Sequence, residues 1–183
     1  MFRVCTYNVH SFYDGLSRPS FDRIVEVIDE IKPDVLCLQE VHGFGLNKLR
    51  SALNFEFSIS WAGCAILSNH PMEEVNTSER GGARGRGYHP RFLTGRVSFN
   101  HQNKTFLITC CHLDHRDERK RLSEMRKITE QLQHVDYNKE SHIWAGDFNS
   151  LSKEDYTNEV WEEIANVRKL NLWESPKTQV ISN

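Results

Sequence analysis

Two short strand-type runs enclose a helix-type segment within the first forty residues. Residues 2–9 are rich in β-forming side chains, and residues 35–39 form an apolar run between Asp34 and Glu40. Between these runs, apolar residues recur three or four positions apart until Pro33; they are Phe21, Ile24, Val25, Ile28 and Ile31. A strand, a helix and a strand in this order predict a layered α/β protein.

The later segments continue the mixture of helix and strand. A short helix is predicted at 46–53, followed by strands at 55–59 and 62–68, and strands at 91–99 and 105–111 flank the polar residues 101–103 as an antiparallel pair. A strand at 142–145 lies between two amphipathic helices, whose apolar residues are Leu122, Met125, Ile128, Leu132 and Val135 in the first and Val160, Ile164 and Val167 in the second. No repeat or shift in composition divides the chain, so residues 1–183 are predicted to form one domain.

Composition narrows the class of protein. The 23 Lys and Arg residues nearly balance the 25 Asp and Glu residues, which gives no general reason to expect tight nucleic-acid or membrane binding. No apolar run approaches the roughly 20 residues that span a bilayer, and the N-terminus does not resemble a signal peptide. We therefore expect a soluble intracellular protein, either cytoplasmic or nuclear. The five cysteines lack C-x-x-C spacing, so buried thiols are expected rather than disulfides or a zinc site.

Unusual polar residues stand where the predicted strands end. Asn8 and His10 close the first strand, Glu40 follows the second, and His112 follows the strand at 105–111. Asp147 and Asn149 come soon after the strand at 142–145. Each has an ordinary explanation by itself, as a turn former, a helix cap or a hydrogen-bonded rim residue. Because ligands of layered α/β proteins gather at the carboxyl ends of strands, the set together predicts a functional site.

The chemistry of this set favours a divalent metal ion. Two carboxylates and two amide side chains offer oxygen ligands, which suit Mg²⁺ or Mn²⁺ better than zinc. We therefore predict that one such ion is bound by Asn8, Glu40, Asp147 and Asn149, with His112 in the same cleft. Such an ion polarises a phosphoryl oxygen and acidifies bound water, so the set indicates phosphoester hydrolysis.

Four short motifs surround these polar residues: T-Y-N-V-H at 6–10, L-Q-E-V at 38–41, C-H-L at 111–113 and G-D-F-N at 146–149. Their combination and order resemble the endonuclease/exonuclease/phosphatase superfamily, which includes deoxyribonuclease I. The resemblance implies an α/β fold, a layered sandwich of two mixed β-sheets with helices outside. It implies that Asn8 and Glu40 serve the metal and that His112 contacts the scissile phosphate. Asp147 would orient or deprotonate the attacking water, and Asn149 would hold the phosphate or the nucleophile.

The C-terminal segment departs from the family pattern. Family members carry one more Asp-His pair near the C-terminus, whose His acts on the nucleophilic water or the phosphate. After Asn149 this sequence contains no histidine and one aspartate, Asp155, and its sole Asp-His dipeptide is Asp114-His115. The resemblance therefore predicts a C-terminally truncated or shortened domain, with an incomplete second sheet and little activity in this form.

Two functions stay open from the sequence. The first is a Mg²⁺-dependent phosphoester hydrolase, with DNA, RNA, a lipid or an inositol phosphate as its substrate. The second is a non-catalytic binding or interaction protein that keeps part of the fold. The sequence does not indicate an oligomeric state.

Two basic segments have alternative interpretations. In the segment 80–87, three arginines alternate with four glycines, which would suit either a phosphate-gripping loop or a solvated one. Near the third motif, four more basic residues would extend a basic rim at the cleft or, as we expect, form the exposed face of the next helix; they are His115, Arg116, Arg119 and Arg121.

Overall fold

The computed structural model describes residues 2–75, 90–99, 104–136 and 140–176. The strands in these ranges are β1 (Val4–Asn8), β2 (Val35–Gln39), β3 (Phe57–Trp61), β4 (Cys64–Ser68), β5 (Met72–Glu74), β6 (Arg91–Phe99), β7 (Lys104–His112) and β8 (Ser141–Asp147). The α-helices are α1 (Phe21–Ile31), α2 (Gly43–Ala52), α3 (Glu118–Gln131) and α4 (Asn158–Leu170). Short 3₁₀ turns cover His10–Phe12 and Lys153–Asp155. The segment 80–87 lies outside the described residues.

The first sheet has the order β1-β2-β4-β3. Its first two strands are parallel, with Asn8 opposite Gln39 at their carboxyl ends, and α1 forms the crossover between them. This arrangement confirms the predicted strand-helix-strand unit. The β3–β4 hairpin turns at Ala62 and Gly63, whose φ angles of 48° and 82° are typical of the tight turns that match strand twist.

The second sheet has the order β5-β6-β7-β8. The predicted antiparallel pair is confirmed as β6 and β7, in which Arg91 lies opposite His112. The next pair, β7 and β8, is parallel and places His112 opposite Asp147. The three-residue strand β5 was not predicted, because so short an edge strand carries no periodic pattern.

Three apolar clusters show how the layers stack. Cys37 of β2 and Cys110 of β7 pack in the cluster between the two sheets. Leu36, whose side chain points to the other face of β2, packs with Ile28 of α1. Ile128 of α3 packs in a third cluster on the outer face of the second sheet. Helices thus cover two stacked mixed sheets, which confirms the predicted α/β sandwich.

The buried face of α3 differs from the predicted one. Leu122 is 51% exposed, whereas Arg121 and Glu124 are buried together with Ile128. The expectation that Arg121 belongs to an exposed helix face is therefore wrong. The reason is an ion pair with Glu174 from the C-terminal segment, which allows a charged side chain to replace an apolar one in the interior.

The last helix shows the same kind of difference. In α4 the predicted apolar residues Val160 and Val167 are exposed, while Trp161 and Arg168 are buried. Trp161 is a core aromatic residue, only 6% exposed. The predicted helix is present. Its buried face, however, is formed by a tryptophan and a paired arginine rather than by the valines.

Most of the cysteines lie inside the sandwich. Cys37, Cys64, Cys110 and Cys111 are buried and Cys5 is half-buried, and all five are free thiols. None of the helices in the described ranges is both long enough and apolar enough to span a bilayer.

Candidate functional site

Four strands deliver polar side chains to one edge of the sandwich. Asn8, His112 and Asp147 are the last residues of β1, β7 and β8, and Glu40 directly follows β2. The edge strands β1 and β8 of the two sheets contact each other. Because the parallel strands of each sheet end at the same edge, residues 139 positions apart in the chain form a hydrogen bond there.

Asn8 joins the two carboxylates of the site. Its Nδ2 donates to Glu40 Oε1 at 3.0 Å and to Asp147 Oδ2 at 2.9 Å. Its Oδ1 accepts the backbone N–H of His10 at 2.9 Å, which fixes the orientation of the amide. One neutral side chain therefore holds two negative groups from different sheets close together.

His112 completes the cluster from the floor of the cleft. Its Nε2 lies 3.8 Å from Glu40 Oε1 and 3.8 Å from Asp147 Oδ2, and its side chain is only 7% exposed. Burial lowers the pKa of His112 below its ordinary value, and the nearby Arg91 guanidinium lowers it further, although the two carboxylates oppose this shift. The lowered pKa favours the neutral form of the His112 imidazole.

Asn149 ties the ends of β7 and β8 together. Its backbone N–H donates to Asp147 Oδ1 at 2.9 Å, and its Nδ2 donates to the carbonyl oxygen of Leu113 at 2.9 Å. The Leu113 N–H in turn donates to the Asp147 carbonyl oxygen. These bonds hold the Asp147 carboxylate in place, and Asn149 lines the same cleft.

Two site residues have a left-handed backbone. Glu40 has a φ of 55° and Asn149 a φ of 49°. Non-glycine residues in this region typically cost about 1 to 3 kcal/mol and are concentrated at functional sites. Both residues lie where the chain leaves a strand and turns sharply. The strained backbone is thus part of the turn that places their polar side chains at the site.

Gly146 allows β8 to approach β7 at the site. A Cβ at this position would lie 2.1 Å from the carbonyl oxygen of Cys111. The two residues are partners in the parallel ladder, one position before His112 and Asp147. Only glycine therefore permits the strand spacing that brings His112 beside Asp147.

Four of the five predicted site residues line an open cleft of about 500 Å³: Glu40, His112, Asp147 and Asn149. The fifth, Asn8, lines a neighbouring cavity together with Asp147 and Asn149. Residues outside the predicted site also line the cleft, among them His10, Ser11, His42, Arg91 and Trp173. Arg91 could have been found, because it pairs with His112 in a correctly predicted antiparallel ladder. Trp173 gave no signal, since no periodic pattern connects it with the strands.

His115 also lines the cleft, so the basic-rim interpretation holds for this residue. Its ring packs edge-on against Trp173, with 4.8 Å between ring centroids, and its carbonyl oxygen accepts from Arg168. Arg168 and Arg121 are both buried and both pair with the Glu174 carboxylate. This buried ion cluster fixes the C-terminal segment so that Trp173 and His115 form one wall of the cleft.

The oxygen donors suit a hard divalent ion. Among the described residues, no three His, Cys, Asp or Glu side chains form a metal-binding group. Mg²⁺, however, is usually bound through one or two carboxylates, with water and substrate oxygens filling its remaining positions. Glu40 and Asp147, held on a single amide, match that pattern. Metal binding by the amide oxygens of Asn8 and Asn149 stays a prediction; in this structure the Asn8 oxygen accepts the His10 N–H.

The fold and the motifs also match known proteins. The model of the Endonuclease/Exonuclease/phosphatase family matches residues 5–161. No curated protein sequence matches the chain significantly.

Solved structures under 25% identical to this chain share its fold. A functionally unknown conserved protein from Enterococcus faecalis V583 is 24% identical, with a TM-score of 0.66 over 83% of this chain and 68% of its own. The mannosyl-6-phosphatase of Bacteroides thetaiotaomicron VPI-5482 is 19% identical, with a TM-score of 0.65 over 83% and 67%. D. rerio TDP2, complexed with single strand DNA product, is 16% identical, with a TM-score of 0.60 over 84% and 62%.

These matches leave about a third of each solved chain without a counterpart in the 183 residues. The family match, by contrast, covers most of this chain and contains all five predicted site residues. The chain therefore belongs to the endonuclease/exonuclease/phosphatase family.

Proposed function

We propose that this protein hydrolyses phosphoesters with the help of a divalent metal ion, Mg²⁺ or Mn²⁺. The observation that carries the proposal is the pair of carboxylates, Glu40 and Asp147, which two different sheets bring to one amide. Like charges at this separation repel each other, so such a pair is stabilised by a cation and is costly without one.

The chain's own residues would share the work as follows. Glu40 and Asp147 would hold the ion, with Asn8 keeping their oxygens oriented. When bound, a divalent ion polarises a phosphoryl oxygen and lowers the pKa of a bound water. The neutral His112 would donate a hydrogen bond from Nε2 to a phosphate oxygen and stabilise its developing charge. Arg91, beside it in the cleft, would add the positive charge that a phosphate attracts.

The structural relatives support a phosphate-containing substrate without selecting one. One relative is a mannosyl-6-phosphatase, and another was solved with a single strand DNA product. Both kinds of compound present a phosphate ester. DNA, RNA, phospholipids and inositol phosphates are therefore all candidates, and the shared chemistry is attack of water on phosphorus with release of an alcohol.

A metal-dependent assay tests the proposal directly. We expect only slow, Mg²⁺-dependent hydrolysis of bis(p-nitrophenyl) phosphate by the 183-residue chain, as its missing Asp-His pair predicts, and Glu40→Gln should abolish this residual rate. Glu163→Gln, which changes an exposed glutamate on α4, is the matched control and should leave the rate unchanged. A rate that survives Glu40→Gln would refute the proposed metal site.

Thermal unfolding supplies a second readout that does not depend on turnover. A ligand at a hundred times its dissociation constant stabilises the folded state by about 2.7 kcal/mol. Mg²⁺ should therefore raise the melting temperature of the wild type but not that of Glu40→Gln. If Mg²⁺ binds in this way and no phosphoester is turned over, the non-catalytic binding protein is the correct alternative.

A further inference from the structure

A second cavity, of about 290 Å³, adjoins the cleft and has a different chemical character. Its walls carry the aromatic rings of Phe12, Tyr13, Phe21 and Phe44. Lys48 also lines it, with its ammonium group 3.8 Å from the centroid of the Phe21 ring. The cavity therefore combines aromatic faces with one positive charge, whereas the cleft is lined by carboxylates, imidazoles and an arginine.

The two spaces are separated by a rim only a few residues wide. Ser11 and His42 line both the cleft and the aromatic cavity. The Ser11 N–H donates to the Glu40 carbonyl oxygen at 3.1 Å, so the rim is attached to a proposed metal-binding residue. The aromatic cavity is therefore the space next to the cleft on the side of Ser11 and His42.

The rim has an unusual backbone. His10, Ser11 and Phe12 have consecutive positive φ angles of 44°, 54° and 64°. Three adjacent non-glycine residues in the left-handed region are strained, and such strain is concentrated at active sites and ligand clamps. The conformation turns Phe12 toward Gly45, where a Cβ would lie 2.4 Å from the Phe12 ring. Glycine at 45 thus makes room for this aromatic wall.

The cavity also exposes apolar surface to water. Phe44, the second residue of α2, is 87% exposed, and Tyr13 is 52% exposed. Two exposed aromatic residues lining one cavity are a candidate contact for a ligand or a partner. The rim that this cavity shares with the cleft favours a ligand.

We propose that this cavity is a subsite for an aromatic ring joined to the phosphoester, which narrows the substrate class of the proposed function and rests on it. The volume is larger than the roughly 150 Å³ that accommodates a benzene ring in an apolar protein cavity. Phe44 and Tyr13 supply ring faces and edges for aromatic contacts, and Lys48 adds attraction for the ring's electron-rich face. Nucleobases and aryl groups are the substituents that fit.

Binding of non-hydrolysable phosphonates tests the subsite separately from catalysis. Affinities of methylphosphonate, cyclohexylmethylphosphonate and benzylphosphonate would be measured by calorimetry in the presence of Mg²⁺. We expect benzylphosphonate to bind the wild type about three- to tenfold more tightly than the other two, the range typical of one aromatic contact. Phe44→Ala should remove most of this advantage and leave methylphosphonate affinity unchanged. Leu170→Ala, which changes an equally exposed side chain on α4, should leave all three affinities unchanged.

The possible failures are distinguishable. Equal affinities for all three phosphonates, or an advantage of benzylphosphonate that survives Phe44→Ala, would overturn the aromatic subsite and leave the proposed function intact. Binding of neither methylphosphonate nor benzylphosphonate would overturn the phosphate site, and the subsite with it. If Phe44→Ala changes the oligomeric state but not benzylphosphonate affinity, the exposed aromatic surface joins copies of this chain and the subsite is refuted.

Discussion

Replacing Gly146 by alanine tests whether the close approach of β8 to β7 holds the site together. The added Cβ would lie 2.1 Å from the Cys111 carbonyl oxygen and 2.9 Å from its carbonyl carbon and nitrogen. Ordinary contacts of carbon atoms are about 3.5 to 4 Å, so relief of the overlap requires the strands to separate by more than about 1 Å. All three clashing atoms belong to the backbone of a central strand, and no side-chain rotation removes the overlap.

The loss in the free energy of unfolding has two parts, the overpacking between the strands and the hydrogen bond that their separation breaks. Overpacking in a rigid interior costs about 1 to 3 kcal/mol, and the upper end applies because the neighbour is backbone. The next residue, Asp147, would also move away from Asn8, from which it accepts a 2.9 Å hydrogen bond worth about 1 kcal/mol. We therefore expect Gly146→Ala to lower the free energy of unfolding by about 3 to 4 kcal/mol.

Urea unfolding followed by tryptophan fluorescence measures this change. With a urea slope of about 2 to 3 kcal/mol/M, the midpoint should fall by about 1 to 2 M. Gly15→Ala is the matched control, because no atom lies within 4 Å of the added Cβ, and it should leave stability unchanged or raise it by up to about 1 kcal/mol. A Gly146→Ala midpoint equal to that of the control, with the Mg²⁺-induced rise in melting temperature intact, would refute the role assigned to this glycine.

Two further predictions concern charged groups away from the carboxylate pair. Glu174→Gln removes the carboxylate that pairs with two buried arginines, and it should lower the free energy of unfolding in urea by about 3 kcal/mol. Glu73→Gln changes a largely exposed ion pair and should lower it by less than about 1 kcal/mol. Equal losses in the two variants would contradict the structural importance of the buried cluster. Burial lowers the pKa of His142, and its Nδ1 accepts a hydrogen bond from Trp144. As the pH falls below about 6.5, this histidine therefore takes up a proton more readily in the unfolded chain than in the folded protein. Stability should therefore decrease as the pH falls below about 6.5 in metal-free buffer, and it should decrease less in His142→Asn. Parallel pH curves for the two proteins would show that His142 is not responsible.

Strands and helices could be located from the sequence, because their periodic patterns are local. The apolar run at 35–39 became β2 with the same limits, and the helix pattern from Phe21 to Ile31 became α1. The face that each later helix buries could not be predicted. Arg121 and Arg168 lie in the interior because Glu174, distant in sequence, pairs with both. Such a contact leaves no trace in the spacing of apolar residues.

The site could be predicted in part for a related reason. Carboxyl ends of strands follow from local pattern, so Asn8, Glu40, His112 and Asp147 were found together by one rule. Two kinds of residue could not be predicted: those placed in the cleft by the register of strand pairing, and those placed there by a segment distant in the sequence. Arg91 enters the cleft through its pairing with His112, and Trp173 enters only because a buried ion cluster fixes the C-terminal segment.

The position of the carboxylate pair links metal binding to the docking of the two sheets. Asn8 and Glu40 belong to the first sheet and Asp147 to the second, and the hydrogen bond from Asn8 to Asp147 crosses between the sheets. A neutral amide compensates two negative charges only weakly, so repulsion between the two carboxylates opposes the contact of β1 with β8. A divalent ion bound to both carboxylates would reverse the sign of that contribution. Occupancy of the proposed metal site would thus favour the folded sandwich as a whole as well as the chemistry at its edge.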